Sequence, residues 1–168
     1  MNKYYTTEAE RLADSAWRNL HLEPPIDLRR VCEHLKIELV RLPMYPDILG
    51  LYMRDEDGNA EIRVNSGMPI ERQRFTLAHE IGHHIFSRTV YGRIVVEFRQ
   101  AKHHLLEREC DKFATCLFMP AGQVLDVAQQ LGHPQRHDKT HNLAARFRVS
   151  AQAMRRRLRE LGIDNRFR

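Results

Sequence analysis

Residues 69–87 constrain this chain more than any other stretch. Pro69 suits the first turn of a helix, where its missing N–H costs nothing. From there Arg74, Leu77, Ala78, Ile81 and Ile85 recur at helical spacing and fall on one arc of the wheel. His79 and His83 fall nearly opposite. The segment therefore predicts a helix that buries one face in a core and presents two imidazoles, one turn apart, on the other. Ring nitrogens at that spacing can reach one ion about 2.0–2.1 Å away. In His79-Glu80-Ile81-Gly82-His83, Glu80 lies beside the ion but is turned too awkwardly to be a natural ligand. It is placed to act as general base toward a metal-bound water. Gly82 leaves room for substrate or another backbone to come close. The pattern points to metal-assisted hydrolysis, with zinc the first choice of ion and a peptide bond the first choice of target.

Two imidazoles and a water make a weak site. A catalytic zinc takes three protein ligands and keeps one position open. A second helical segment, about 104–119, ends at Met119-Pro120 and contains Glu107-Arg108-Glu109-Cys110-Asp111. Glu107 and Asp111 are four apart and share a face away from Leu106, Phe113 and Leu117. Glu107 is read as the third ligand, with Glu109 the weaker choice. Asp111 is read as the acceptor of the free ring N–H of a ligand histidine, fixing its tautomer. Cys110 and Cys116 are read as small core residues. His84 is read as packing or facing solvent, and His137 and His141 lack an acidic partner. An oxyanion donor is also needed. Tyr52, Tyr91, His103 and His104 are candidates, and the sequence does not choose among them. A His/His/Glu set accepts Mn2+ as well as Zn2+.

The rest of the chain supplies a modest scaffold. Its 168 residues predict one domain, and 42% hydrophobic residues suffice for a core. Residues 6–20 and a segment capped by Asp27 read as helices. Residues 36–42, 49–54 and 60–65 read as strands of a small antiparallel sheet, the last two joined by Asp55-Glu56-Asp57-Gly58. Residues 93–98 read as a strand or part of a lid. Three cysteines and the absence of an apolar leader or an 18-residue apolar run lead to the expectation of a cytoplasmic protein without disulfides.

Charge divides the chain. The overall +5 hides a tail, residues 133–168, with ten Lys/Arg against three acids, while the first 132 residues carry a net −2. The expected organisation is a hydrolase-like domain over 1–132 and a basic helical segment over 133–168. Helices at about 140–147 and 150–162, the second capped by Ser150, form a helix-turn-helix-like pair. Arg155, Arg156, Arg157 and Arg159 are candidate contacts to phosphate or to an acidic partner. The preferred expectation for the second helix is an inner face of Ala153, Met154, Leu158 and Leu161 with solvated arginines.

The segment Arg74-Phe75-Thr76-Leu77-Ala78-His79-Glu80-Ile81-Gly82-His83-His84 resembles the core motif of the ImmA/IrrE family of metallo-endopeptidases. Glu107-x-x-Cys110-Asp111-x-Phe113-Ala114-x-x-Leu117-x-Met119-Pro120 is similar to that family's second motif, in which Ala-Asn is commoner than Cys110-Asp111. The resemblance extends over roughly residues 8–162. It implies a zinc peptidase with a minimal α+β zincin-like fold, in which a small antiparallel sheet packs on helices and a short helical extension follows. By position it implies His79, His83 and Glu107 as ligands and Glu80 as base. Several members cut a helix-turn-helix transcriptional repressor, often encoded nearby, and so switch on mobile-element or stress-response genes. The competing expectation is a non-catalytic regulator that binds a repressor or DNA through the C-terminal helices.

Overall fold

A computed structural model describes residues 7–86, 93–98, 105–131 and 136–163. Helix α1 (Glu8–Asn19) opens with a reciprocal cap: the Thr7 hydroxyl accepts from Glu10 N–H at 3.2 Å, and Glu10 accepts from Thr7 N–H. Helix α2 (Leu28–Leu35) is capped by Asp27, whose carboxylate accepts from Arg29 N–H at 3.0 Å. Strands β1 (Ile37–Leu42), β2 (Ile48–Arg54) and β3 (Ala60–Asn65) follow, then α3 (Ile70–Phe86), β4 (Arg93–Phe98), α4 (Leu105–Phe118), α5 (Ala121–Gln130), α6 (Arg136–Phe147) and α7 (Ala151–Glu160). This is an α+β chain.

The sheet has the order β1-β3-β2-β4. It is mixed, which corrects the expectation of purely antiparallel pairing. β2 pairs antiparallel with β3 and with β4, but β1 pairs parallel with β3, from Ile37↔Ala60 to Leu42↔Asn65. The cause is the insertion of β3 between β1 and β2. Two reversals of direction leave β3 parallel to β1. Asn65 pins the first reversal. Its buried amide donates to Ile48 C=O at 2.8 Å and Tyr45 C=O at 3.2 Å, and its Oδ1 accepts from Met44 N–H and Gly67 N–H. The second reversal is held by Asp55, whose carboxylate accepts from the Asn59 backbone and amide at 2.7 and 2.8 Å, with Gly58 at φ 87°. Residues 93–98, read as strand or lid, form the strand beside β2.

The chain divides into two compact units. One comprises residues 27–114; the other comprises residues 1–26 and 115–168. In the first, α3 packs on β2 and β3 and α2 packs on β1, around Leu49, Tyr52, Ile62, Val64, Leu77, Ala78, Ile81 and Phe113. In the second, the Trp17 indole donates to Leu117 C=O at 2.6 Å, and Val124, Leu143, Phe147, Met154 and Leu158 are buried. No helix among the described residues is long and apolar enough to cross a membrane.

Candidate metal centre

Helix α3 is buried on all sides from Thr76 to His84. The expected apolar arc faces the core through Leu77, Ala78 and Ile81. The polar face is enclosed too: His79 is 2% exposed, and Glu80 and His83 are 0% exposed. Two neighbours enclose it. The stripe Thr76, Glu80, His84 lies toward β2, and the stripe His79, His83 lies toward α4.

On the β2 side the contact depends on a glycine. A Cβ at Gly50 would stand 2.4 Å from Thr76 Cγ2 and 2.9 Å from Glu80 Oε1. The bare Gly50 backbone therefore makes the space in which the Glu80 carboxylate sits. Two residues on, fully buried Tyr52 meets His84, with its hydroxyl 3.3 Å from Nδ1 and the rings edge to face. His84 thus packs, and Tyr52 is engaged with it.

On the α4 side four polar side chains converge. His79 Nε2 lies 3.1 Å from His83 Nε2 and 3.1 Å from Glu107 Oε2. His83 Nε2 lies 3.4 Å from Glu107 Oε1. His79 Nδ1 lies 2.9 Å from Asp111 Oδ1. The Asp111 carboxylate draws the ring proton to Nδ1, which leaves the Nε2 lone pair directed at the other donors. Ligands held about 2.0–2.1 Å from a tetrahedral ion are themselves about 3.3–3.4 Å apart. The separations among Nε2, Nε2 and the Glu107 oxygens match that spacing closely. Two neutral nitrogens and a carboxylate are also the donor chemistry of a borderline-soft divalent cation, so the residues present fit one.

The helices can come this close because of Gly82. A Cβ there would lie 3.0 Å from Cys110 Cα, so the backbone of α4 occupies the space a side chain would need. Of the two occupants expected beside Gly82, it is the neighbouring backbone that is present. Cys110 itself was expected only to fill the core. It is fully buried, and its Sγ forms a donor cluster with His79 and His83 in which all ligand atoms lie within 4.8 Å of one another. The signal was available in sequence: Cys110 stands three residues after Glu107, on the same side of α4.

The remaining candidates lie elsewhere. Tyr91, His103 and His104 fall outside the described residues. On α7, Arg155, Arg156 and Arg159 are exposed. Arg157 is not, and its reading as a surface contact is corrected: it is 2% exposed, donates to Met119 C=O at 2.9 Å and pairs with Glu160 at 3.2 Å. Its position beside Met154 and Leu158 on the inward face of α7 is the physical reason.

A sheet backing a helix with paired histidines, and a second helix bringing a glutamate, define a minimal zincin-like domain. The sequence matches the IrrE N-terminal-like domain, a peptidase family, over residues 32–159, and the chain belongs to that family. No curated protein matches the sequence. Among solved structures, a Mycobacterium tuberculosis transcriptional regulator shares the fold, with a TM-score of 0.57 and 16% identity over 92% of this chain. The match covers 47% of that protein, so the chain spans about half its length.

Proposed function

We propose that this chain is a zinc-dependent endopeptidase that cleaves a regulatory protein, its substrate being a helix-turn-helix transcriptional repressor. The observation that carries the reading is the convergence of His79, His83 and Glu107 at ligand spacing, with fully buried Glu80 next to His79 on the same helix. His79, His83 and Glu107 hold the ion, and Asp111 orients His79. A divalent ion at this position supplies Lewis acidity, polarising a carbonyl and making water a stronger acid. Glu80 accepts the proton of the attacking water and returns it to the departing amine, so one carboxylate serves as base and then as acid. Glu80 is fully buried and lies against Gly50 of β2, where a larger residue would crowd its carboxylate. Membership of a peptidase family supports the reaction class, and the resemblance stated from the two motifs supports a repressor as substrate.

A second reading has its own support. Exposed Arg155, Arg156 and Arg159 belong to the basic segment 133–168, which favours a partner-binding regulator that contacts a repressor or DNA. One experiment separates the two. A helix-turn-helix repressor from the same genome is incubated with zinc-loaded wild-type protein and with Glu80→Gln. The peptidase reading expects a defined cut, lost on chelation and slowed by about 10²–10⁴-fold in the variant at unchanged zinc content. Equal relief of repression by both proteins, with the repressor intact, establishes the regulator instead.

A further inference from the structure

We propose that Cys110 is an additional ligand, through its sulfur, for the ion held by His79, His83 and Glu107, and that it closes the site when no substrate is present. The inference rests on the metal centre proposed above.

Three observations on α3 and α4 carry it. Cys110 is 0% exposed and follows Glu107 by three residues, so sulfur and carboxylate leave α4 on the same side. The sulfur is turned toward α3: a Cβ built on Gly82 would lie 3.3 Å from Cys110 Sγ, in the turn between the two imidazoles. The sulfur and one ring nitrogen each of His79 and His83 all lie within 4.8 Å of one another. Ligands sharing a tetrahedral zinc, with Zn–S about 2.3 Å and Zn–N about 2.0–2.1 Å, are about 3.6 Å apart. About an ångström of closure separates the widest spacing compatible with the cluster from a coordinated one. A residue needed only to fill space at this tight helix contact would be met by a methyl group. A thiol adds a soft donor beside two imidazoles.

The consequence is chemical. Two histidines, a glutamate and a cysteine make four protein ligands, the closed arrangement typical of structural zinc. Water and a substrate carbonyl gain access when the sulfur withdraws. Ligation releases the thiol proton to solvent, and it biases the site toward thiophilic ions such as Zn2+ and Cd2+ over Mn2+.

Cobalt reports this without any assay of hydrolysis. The full chain is loaded with Co2+ as wild type, Cys110→Ala and Cys110→Ser, and folding is followed by circular dichroism. The proposal expects one equivalent of Co2+ in each, a sulfur-to-cobalt charge-transfer band in the near ultraviolet of the wild type, and loss of that band in both variants. It also expects Cd2+ affinity to fall at least about tenfold in Cys110→Ala, with Mn2+ affinity changed by less than about threefold. Cys110→Ser, which keeps the size of the side chain, carries the comparison if the alanine variant does not fold. A wild-type protein that binds a full equivalent of Co2+ without the band, or variants that keep it, overturns the proposal and leaves the metal centre standing. A wild-type protein that takes up no Co2+ overturns both.

Discussion

Asp111 holds one side of the His79 ring in the proposed metal centre, through His79 Nδ1 at 2.9 Å. Its carboxylate is half-exposed, yet it holds the Nδ1 side of a ring that is 3% exposed. Removing such an outer partner lowers metal affinity by about 10–100-fold, because ring orientation and basicity are lost together. Asp111→Ala is therefore expected to weaken zinc binding by that factor in a chelator competition, with the fold unchanged by circular dichroism. Asn at this position, the commoner residue in the resembled motif, keeps an oxygen acceptor and should retain most of the affinity. That Glu107 and Asp111 share a face was legible from spacing, since a helix puts residues four apart on one side, and both meet His79. The placement of the Glu80 carboxylate against Gly50 was not. Nothing in residues 48–54 signals which helix residue a strand glycine will meet.

At the scale of elements, the centre is a property of the α3–α4 pair. Each helix alone offers part of the proposed ligand set, and the spacing between them decides whether the parts can share an ion. Gly82 sets that spacing. Alanine is the better helix former by about 1 kcal/mol, but its Cβ would stand 3.0 Å from the backbone of Cys110, which cannot swing aside as a side chain can. Overpacking of this kind costs about 1–3 kcal/mol. Gly82→Ala is expected to lower the urea midpoint and to loosen zinc together, two readouts that a purely local helix effect would separate. The boundaries of α1, α2, β2 and β3 were largely legible because caps, turn residues and alternation are local signals. The pairing of β1 was not, because strand order depends on where the chain crosses. Here the crossing is fixed by one buried side chain, Asn65, reaching back some twenty residues to Met44 and Tyr45.

At the scale of the whole molecule, the chain's ends are tied into one unit by a buried cation. Arg157 on α7 donates to Met119 C=O, pairs with Glu160, and lies 3.8 Å from Glu10 on α1, itself 8% exposed. Removing one partner of a buried ion pair costs about 3–5 kcal/mol, because the other charge stays desolvated. Arg157→Met is expected to destabilise by about 3 kcal/mol in urea unfolding, and the double variant with Glu10→Gln should recover part of it. Stability also has an alkaline limit. Burial pushes the Cys32 thiol from 9.0 up to about 12, so the native state holds this proton more tightly than the unfolded chain. Its contribution is complete below the ordinary thiol range. It is lost as pH climbs from about 9 toward about 12. Cys32→Ala should flatten that decline in unfolding midpoints taken between pH 8 and about 11.

The sequence by itself determined the order and helical spacing of His79, Glu80, His83, Glu107 and Asp111 and most local elements, because all of these follow from periodicities and caps within a few residues. It also carried the family through two motifs. Tertiary structure decided what no local pattern encodes: that α4 lies within van der Waals reach of Gly82, that Cys110 therefore stands among the imidazoles, that Gly50 opens the space for Glu80, and that Arg157 points inward. Each of those is a distance between segments far apart in the chain, set by packing at close to crystalline density. There a single methyl group decides whether two backbones can touch.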